Sequence, residues 1–314
     1  MVIMDPEILL RAEGICFEYQ PNLGIQNIEC QLNRGEVMGL LGPNGAGKTS
    51  LLNILAGLLT PDRGRVTLLD QALIPGHSAL RRHLGYLPDR PPLYAAMTVA
   101  EYLRHVAHLR LIPSKQIKEQ VADALSRCGL NALSTRLIKS LSKGLRQRVG
   151  IAQAIIHRPE VILLDEPMDG LDPIQILEVR ELIRELGQTH AIVFSSHGLT
   201  EVTALCQKAL ILNKGKTVFY GSLDQLNTNT QALHLWVRFE HAVTEIILRN
   251  LPGVERLQVQ NPQEYILRTA DRQLTNQALL EATLKNGWRL SEIRPYHIPL
   301  ETFFEQLPSE KHVL

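Results

Sequence analysis

The chain has 314 residues, of which 45% are hydrophobic and 21% are charged, so it has the composition of a globular protein and the length for two domains. The formal net charge is only +1 and no run of basic residues is present, which argues against a nucleic-acid partner. The longest apolar stretches, such as residues 161–164 and 191–194, fall far short of the roughly 18 residues of a membrane helix, so work at a membrane would require an integral partner.

Four segments of the first two thirds are typical of strands: residues 14–19, 37–41, 161–165 and 191–195. The last three are nearly continuous apolar runs, which predicts strands covered on both faces of a mostly parallel sheet. Residues 98–157 instead carry apolar side chains at helical spacing. We therefore predict an α/β fold with a helical lobe inserted at about residues 90–158.

The last third has a different order of elements. A strand at 209–212 and a short strand at 217–220 precede a polar linker at 228–230. The segments that follow are predicted as a strand, a helix, a hairpin, a helix and a strand, in that order: residues 233–239, 241–249, 254–259 with 264–269, 274–284 and 288–294. This β-α-β-β-α-β order is the split βαβ motif. We predict an accessory α+β domain at 231–314, closed by a helix at 300–307, after a first domain at 1–227.

Residues 42–49, called the phosphate loop below, match the pattern G-x-x-x-x-G-K-[ST] at every fixed position. The loop lies between the apolar run 37–41 and a predicted helix at 50–59, so its N–H groups and the helix N-terminus should form an anion site. Lys48 would reach the β- and γ-phosphates of a nucleotide, and the Thr49 hydroxyl would bind Mg²⁺. The alternative is a glycine turn without a ligand. The residues assigned to this site are Gly42, Pro43, Asn44, Gly45, Ala46, Gly47, Lys48, Thr49 and Ser50.

Asp165 and Glu166 come at the end of the apolar strand that starts at Val161. A carboxylate beside a phosphate loop can hold Mg²⁺, and a second one can orient or deprotonate an attacking water. We therefore assign Asp165 to the metal and Glu166 to the water. The alternative is a simple turn that ends the strand.

Three further residues are candidates for nucleotide binding, and each also has an ordinary structural interpretation. His197 follows the strand 191–195 and can sense a γ-phosphate, or it is an ordinary loop histidine. Ser142 is a good N-cap for a helix to about residue 157, whose start is an anion site or only the start of an amphipathic helix. Tyr19 can stack on adenine or be a half-buried sheet aromatic.

Together, these elements resemble the ATP-binding-cassette (ABC) ATPases over roughly residues 7–225. Residues 42–49 match the Walker A loop of that family, and residues 161–166 match its Walker B strand with the catalytic Glu. Residues 141–148 resemble the family signature, residues 170–172 resemble its D-loop, and His197 matches its switch histidine. The resemblance implies that Glu166 and His197 are catalytic and that Asp172 belongs to the nucleotide site. It also implies that Ser142 and Gly144 bind the γ-phosphate held by a second chain, in a homodimer or a heterodimer.

Two positions depart from the family pattern. The signature has Lys143 and Leu145 where Gly and Gln are usual. Asp89 stands where the family has a Gln that links Mg²⁺ to the membrane subunit; the shorter carboxylate can still bind Mg²⁺. The residues around these positions resemble the branch of small two-component exporters.

The resemblance implies an ATP-hydrolysing, Mg²⁺-dependent subunit of a membrane exporter, held at the cytoplasmic face of the membrane by an integral subunit. Four distant cysteines fit a reduced cytosolic protein: Cys16, Cys30, Cys128 and Cys206. The alternatives are a soluble ABC ATPase acting on a protein or nucleic acid and a regulatory subunit that does not hydrolyse ATP.

The segment 91–97 is unusually apolar for a loop. Exposed apolar surface often marks an interface, and the resemblance places this segment on the side facing the membrane subunit. We predict that Leu93, Tyr94 and Met97 line a groove for a short helix of that subunit. The alternative is that they pack inside the helical lobe.

Overall fold

The computed structural model describes residues 7–20, 23–74, 76–226 and 234–296. The chain divides into two compact units, residues 1–221 and 222–314. The predicted linker at 228–230 and the predicted helix at 300–307 lie outside the described residues.

The first unit contains an antiparallel sheet with the strand order β2-β1-β4-β5. Its strands are β1 (Ile8–Gln20), β2 (Leu23–Asn33), β4 (Arg63–Leu68) and β5 (Gln71–Ala72). Strand β1 is longer than the predicted segment 14–19, because its register with β2 runs back to Ile8, which lies opposite Asn33.

The second sheet of this unit has the order β10-β9-β3-β8-β7-β6. Its strands are β3 (Val37–Leu41), β6 (Leu84–Leu87), β7 (Val161–Leu164), β8 (Ala191–Ser196), β9 (Lys208–Asn213) and β10 (Lys216–Ser222). The five strands from β9 to β6 pair in parallel. Every residue of β3, β7 and β8 is buried, which confirms the parallel sheet predicted from their continuous apolar runs.

The helices of the first unit are α1 (Lys48–Leu55), α2 (Ser78–Arg81), α3 (Val99–Leu109), α4 (Ser114–Arg127), α5 (Lys143–Ile155), α6 (Pro173–Gly187) and α7 (Leu199–Leu205). Helix α1 starts and ends earlier than the predicted 50–59; Gly57, at φ +67°, lies just beyond its C-cap at Ala56. The helical stretch predicted at 98–157 is α3, α4 and α5 with two 3₁₀ turns between α4 and α5. Thr98 caps α3 in a capping box with Glu101.

The second unit has the predicted β-α-β-β-α-β order and the antiparallel strand order β12-β13-β11-β14. Its elements are β11 (His234–Phe239), α8 (Glu245–Arg249), β12 (Val254–Asn261), β13 (Glu264–Thr269), α9 (Arg272–Asn286) and β14 (Leu290–Pro295). Leu235, Val237 and Phe239 alternate into one core with Leu279 of α9. The split βαβ prediction is confirmed, with α8 starting later than the predicted residue 241.

In the part of the chain that the structure describes, no helix is both long and apolar enough to cross a membrane.

Candidate nucleotide site

The candidate site lies where the carboxyl ends of β3, β8, β7 and β6 meet. These strands are neighbours and parallel, so the loops that follow them leave from the same edge of the sheet. The phosphate loop follows β3, His197 follows β8, Asp165 and Glu166 follow β7, and Asp89 comes shortly after β6. Residues far apart in sequence are therefore brought to one place.

A cavity of about 630 Å³ opens at this edge. Its lining combines most of the predicted site residues with three that sequence reasoning missed, namely Leu23, Gly24 and Asp169. The predicted residues in the lining are Tyr19, Asn44, Gly45, Ala46, Gly47, Lys48, Thr49, Ser50, Asp89, Glu166 and His197.

Glycines allow the phosphate loop its conformation. Gly47, the N-cap of α1, has φ +102°, and a Cβ there would stand 2.4 Å from Cγ2 of Ile25. Gly45 has φ +79°, with no atom within 4 Å of a Cβ position, so its backbone is open to the cavity. The positive end of the α1 dipole therefore faces a space that an anion can enter closely.

Lys48 is the first residue of α1 and is only 7% exposed. Its Nζ donates hydrogen bonds to the carbonyl oxygens of Gly42 at 2.8 Å and Pro43 at 3.4 Å. The same ammonium lies 3.4 Å from Oε1 of Glu166. Gly42 and Pro43 thus contribute backbone carbonyls that hold Lys48 in place.

Asp165 and Glu166 are linked through a buried hydroxyl. Ser195 Oγ donates to Asp165 Oδ1 at 2.6 Å, and the Glu166 N–H donates to the same Oγ at 2.8 Å. Sequence reasoning missed Ser195; the available signal was a polar residue directly after the apolar run of β8. Burial and the nearby carboxylates of Asp165 and Asp89 raise the pKa of the Tyr86 phenol.

Glu166 is held from two sides. Its Oε2 accepts a hydrogen bond from Nδ1 of His197 at 3.1 Å, opposite the contact with Lys48. The residue has φ +46°, a conformation that is uncommon outside glycine and fits a constrained functional turn. The Glu166 carboxylate therefore has a fixed place on the cavity wall, and it can accept a proton from a water there.

The residues predicted to bind Mg²⁺ offer oxygen donors. Asp165 is fully buried, and its Oδ2 has no hydrogen-bond partner among the described residues. Thr49 and Asp89 line the adjoining cavity. The described residues contain no group of three or more His, Cys, Asp or Glu side chains that could hold a metal. A nucleotide-bound Mg²⁺ usually takes one or two carboxylates plus phosphate oxygens, so a hydroxyl and two carboxylates fit it.

Tyr19 lies at the mouth of the cavity and is 54% exposed. Its hydroxyl shares a 2.9 Å hydrogen bond with Ser50 Oγ, and its ring meets Phe17 edge to face at 4.7 Å. These contacts fix the ring at the cavity mouth, where one side can stack on a base.

Ser142, Gly144 and Asp172 do not line this cavity. Ser142 is the N-cap of α5 and accepts a hydrogen bond from the Leu145 N–H at 3.3 Å, as predicted. Asp172 caps α6 and accepts from the Gln175 N–H at 2.9 Å. The structure thus gives Ser142 and Asp172 capping roles within the chain.

The fold and the site define a P-loop nucleotide-binding protein, and comparison with known proteins identifies the family. Residues 25–169 match the family model described as ABC transporter. The uncharacterized ABC transporter ATP-binding protein YxlF of Bacillus subtilis (strain 168) is 32% identical over 279 residues, which are 89% of this chain and 92% of YxlF. The chain therefore belongs to the ABC transporter ATP-binding proteins and is an ATPase.

Two more relatives agree with this assignment. The lipopolysaccharide export system ATP-binding protein LptB of Acidithiobacillus ferridurans is 37% identical over 69% of this chain and 92% of its own length. A solved structure of the ATP-binding subunit of an ABC transporter superposes with a TM-score of 0.64 at 28% identity, covering 70% of this chain and 92% of that one. The YxlF match, at 279 residues, is longer than the first unit and so extends into the second.

Proposed function

We propose that the chain is the ATP-hydrolysing subunit of an ABC exporter and that it turns over Mg-ATP at the cavity around the phosphate loop. The observation that carries this proposal is the position of Glu166, 3.4 Å from Lys48 and 3.1 Å from His197. Export is supported by the relative LptB, whose name assigns it to an export system. The comparisons name transporter components, so the alternative of a soluble ATPase acting on a protein or nucleic acid gains no support from them.

In the proposed reaction, water attacks the γ-phosphorus of ATP. The bond from that phosphorus to the oxygen shared with the β-phosphate breaks, and ADP and phosphate leave. Lys48 and the N–H groups of the phosphate loop bind the phosphates, while Glu166 accepts the proton of the water. His197 donates to Glu166 and so orients its carboxylate. Mg²⁺, held by Thr49, Asp165 and Asp89, would neutralise charge on the β- and γ-phosphates.

A second chain, identical or homologous, completes the site in this proposal. The α5 N-terminus with Ser142 and Gly144 lies outside the cavity of its own chain. Ser142 is exposed, although Gln175 lies close over Gly144. A helix start that carries an exposed hydroxyl is suited to a phosphate presented from outside. Two chains facing each other would bring the α5 N-terminus of one to the nucleotide of the other.

The membrane partner is proposed to dock beside Asp89. A second cavity, of about 480 Å³, is lined by Leu93 together with Asp89, Pro91 and Ile138. Tyr94 and Met97, which were expected in the same groove, do not line this cavity. The Tyr94 ring instead lies against Tyr102 at 5.9 Å and His105 at 5.4 Å. Leu93 is therefore the residue of the three that best reports on docking.

This proposal is tested by co-expressing the chain with a candidate integral membrane subunit and purifying the complex in detergent. The wild-type chain should co-purify in a fixed ratio, and the subunit should stimulate its ATP hydrolysis. Leu93→Asp should lose both effects while the isolated variant keeps its own ATPase activity and melting temperature. Glu119→Ala, on the exposed face of α4, is the control for a surface change away from this cavity. Equal stimulation of Leu93→Asp and wild type would contradict docking at this cavity.

A further inference from the structure

Lys143, one of the departures from the family signature, makes a specific contact. Its Nζ lies 3.2 Å from Oδ2 of Asp169, in the loop between β7 and α6. Gly170 makes room for it: the residue has φ +62°, and a Cβ there would stand 2.3 Å from the Lys143 Nζ. The lysine side chain therefore reaches across the start of α5 to this loop.

Two other contacts join the same face of α5 to the chain around α6. A Cβ on Gly144 would stand 2.1 Å from Oε1 of Gln175, so that side chain lies directly over the glycine. Arg148, one turn further along α5, forms an ion pair with Glu178. The contact of Lys143 with Asp169 is thus one of three between the start of α5 and the chain around α6.

Asp169 also lines the nucleotide cavity, together with the carboxylates of Asp89 and Glu166. A cavity for a polyphosphate is an unfavourable place for carboxylates, because like charges repel. Glu166 has the Lys48 ammonium at 3.4 Å, and Asp169 has the Lys143 ammonium at 3.2 Å. Each of these two acidic side chains therefore has its own cation.

We propose that Lys143 is a positioning residue of the nucleotide site: its ammonium holds the Asp169 carboxylate at the rim of the cavity and offsets its charge toward the phosphates. This inference rests on the proposed function. It assigns a role to a residue that departs from the usual signature, and that role lies within its own chain.

The size of the effect follows from the exposure of the pair. Both side chains are about half exposed, 56% for Lys143 and 47% for Asp169. Exposed ion pairs are weak, so losing this one should change nucleotide affinity about two- to fivefold and leave the melting temperature nearly unchanged. Screening by salt should reduce the difference.

The test uses calorimetry to measure the Kd of the chain for the Mg²⁺ complex of a non-hydrolysable ATP analogue. Steady-state kinetics give KM and kcat for ATP. Lys143→Met should raise Kd and KM about two- to fivefold at low salt and should change kcat less. At 0.5 M salt, where the Debye length is roughly 4 Å, the variant should differ little from wild type in Kd and KM. Lys143→Arg should restore the affinity. Lys115→Met, which changes an exposed lysine of α4 that lines neither cavity, is the matched control and should not alter Kd.

The decisive comparison is in the Asp169→Asn background. With the carboxylate gone, Lys143→Met should have little further effect on Kd, because the residue that it offsets is no longer charged. An equal effect of Lys143→Met in both backgrounds would overturn the proposal, as would an unchanged Kd in the single variant. If the wild-type chain bound no nucleotide, the proposed function itself would fail, which is a separate outcome.

Discussion

The ammonium of Lys48 and the carboxylate of Glu166 form an ion pair, with 3.4 Å between Nζ and Oε1. The two side chains are only 7% and 17% exposed, so water screens this pair weakly. One of them is assigned to the phosphates and the other to the attacking water. The pair therefore links substrate binding to the group that activates the water.

Replacing Lys48 tests the first half of this link. Lys48→Ala should weaken Mg-ATP binding about tenfold to a hundredfold, since hydrogen bonds to charged groups contribute roughly 1.5–3 kcal/mol, and turnover should fall with it. Calorimetric titration with Mg-ATP measures the loss. Lys115→Ala, at an exposed position of α4, is the control for loss of a lysine charge elsewhere. Unchanged affinity in Lys48→Ala would refute its role at the phosphates.

Ser195 should matter through the two residues that it joins. Ser195→Ala removes the hydroxyl between Asp165 Oδ1 and the Glu166 N–H, leaving buried polar groups without that partner. We expect a loss of about 1–3 kcal/mol in unfolding free energy and a lower kcat. Denaturant unfolding and steady-state kinetics measure these effects. Ser195→Thr keeps the hydroxyl and should recover part of both, whereas equal losses in the two variants would point to packing alone.

His157 should make stability depend on pH. Burial, aided by the nearby Arg110 charge, lowers its pKa from 6.5 to about 4, and its Nε2 donates to the Leu84 carbonyl at 2.9 Å. Below pH 6.5 the unfolded chain binds a proton that the folded chain does not, so stability is lost as the pH falls from 6.5 toward 4.

At pH 5 this loss should be on the order of 2 kcal/mol relative to pH 7.5. Denaturant unfolding of wild type and His157→Gln at both pH values isolates it, because the other titrating groups are common to the two proteins. His157→Gln should show a shallower decline. Parallel declines would mean that His157 is not the group responsible.

The second unit is expected to serve assembly or regulation, and not the nucleotide. The residues lining the nucleotide cavity all lie in the first unit, which has its own hydrophobic core. A chain ending at Thr230 should therefore keep its affinity for Mg-ATP and change in dimerisation or in its response to the membrane subunit. Calorimetry and light scattering measure both. Loss of nucleotide binding by a folded truncated chain would contradict this division of roles.

The sequence predicted the parts of the fold that have a strong local signal. The runs beginning at Val37, Val161 and Ala191 indicated buried parallel strands, because strands covered on both faces need no polar alternation. Lys48, Glu166 and His197 could be found because each comes shortly after one of these apolar runs. Strand β2 was not predicted, since its partly exposed surface mixes polar and apolar residues and it has no continuous apolar run. Helix α6 was not predicted either, although its buried Val179, Leu182 and Ile183 have helical spacing.

Contacts between loops that are far apart in the chain could not be predicted from the sequence. Nothing local marks Asp169 as a neighbour of Lys143, which lies 26 residues away. The hydroxyl of Ser195 joins Asp165 to Glu166 only because β7 and β8 pair in parallel. The ring contact of Tyr94 with Tyr102 could not be predicted either, because nothing in the local sequence marks the two residues as neighbours, and the role of the half-exposed Tyr94 in docking stays a prediction.

The measurement that tests the central claim most directly is ATP turnover by Glu166→Gln. The amide keeps the size of the side chain but accepts a proton poorly, so hydrolysis should fall at least about a hundredfold while Mg-ATP still binds. With ATP trapped, the variant should also form a stable dimer in size-exclusion chromatography, whereas Glu181→Gln on the exposed side of α6 should behave as wild type. Near-normal turnover by Glu166→Gln would contradict the account, because the water would then be activated elsewhere.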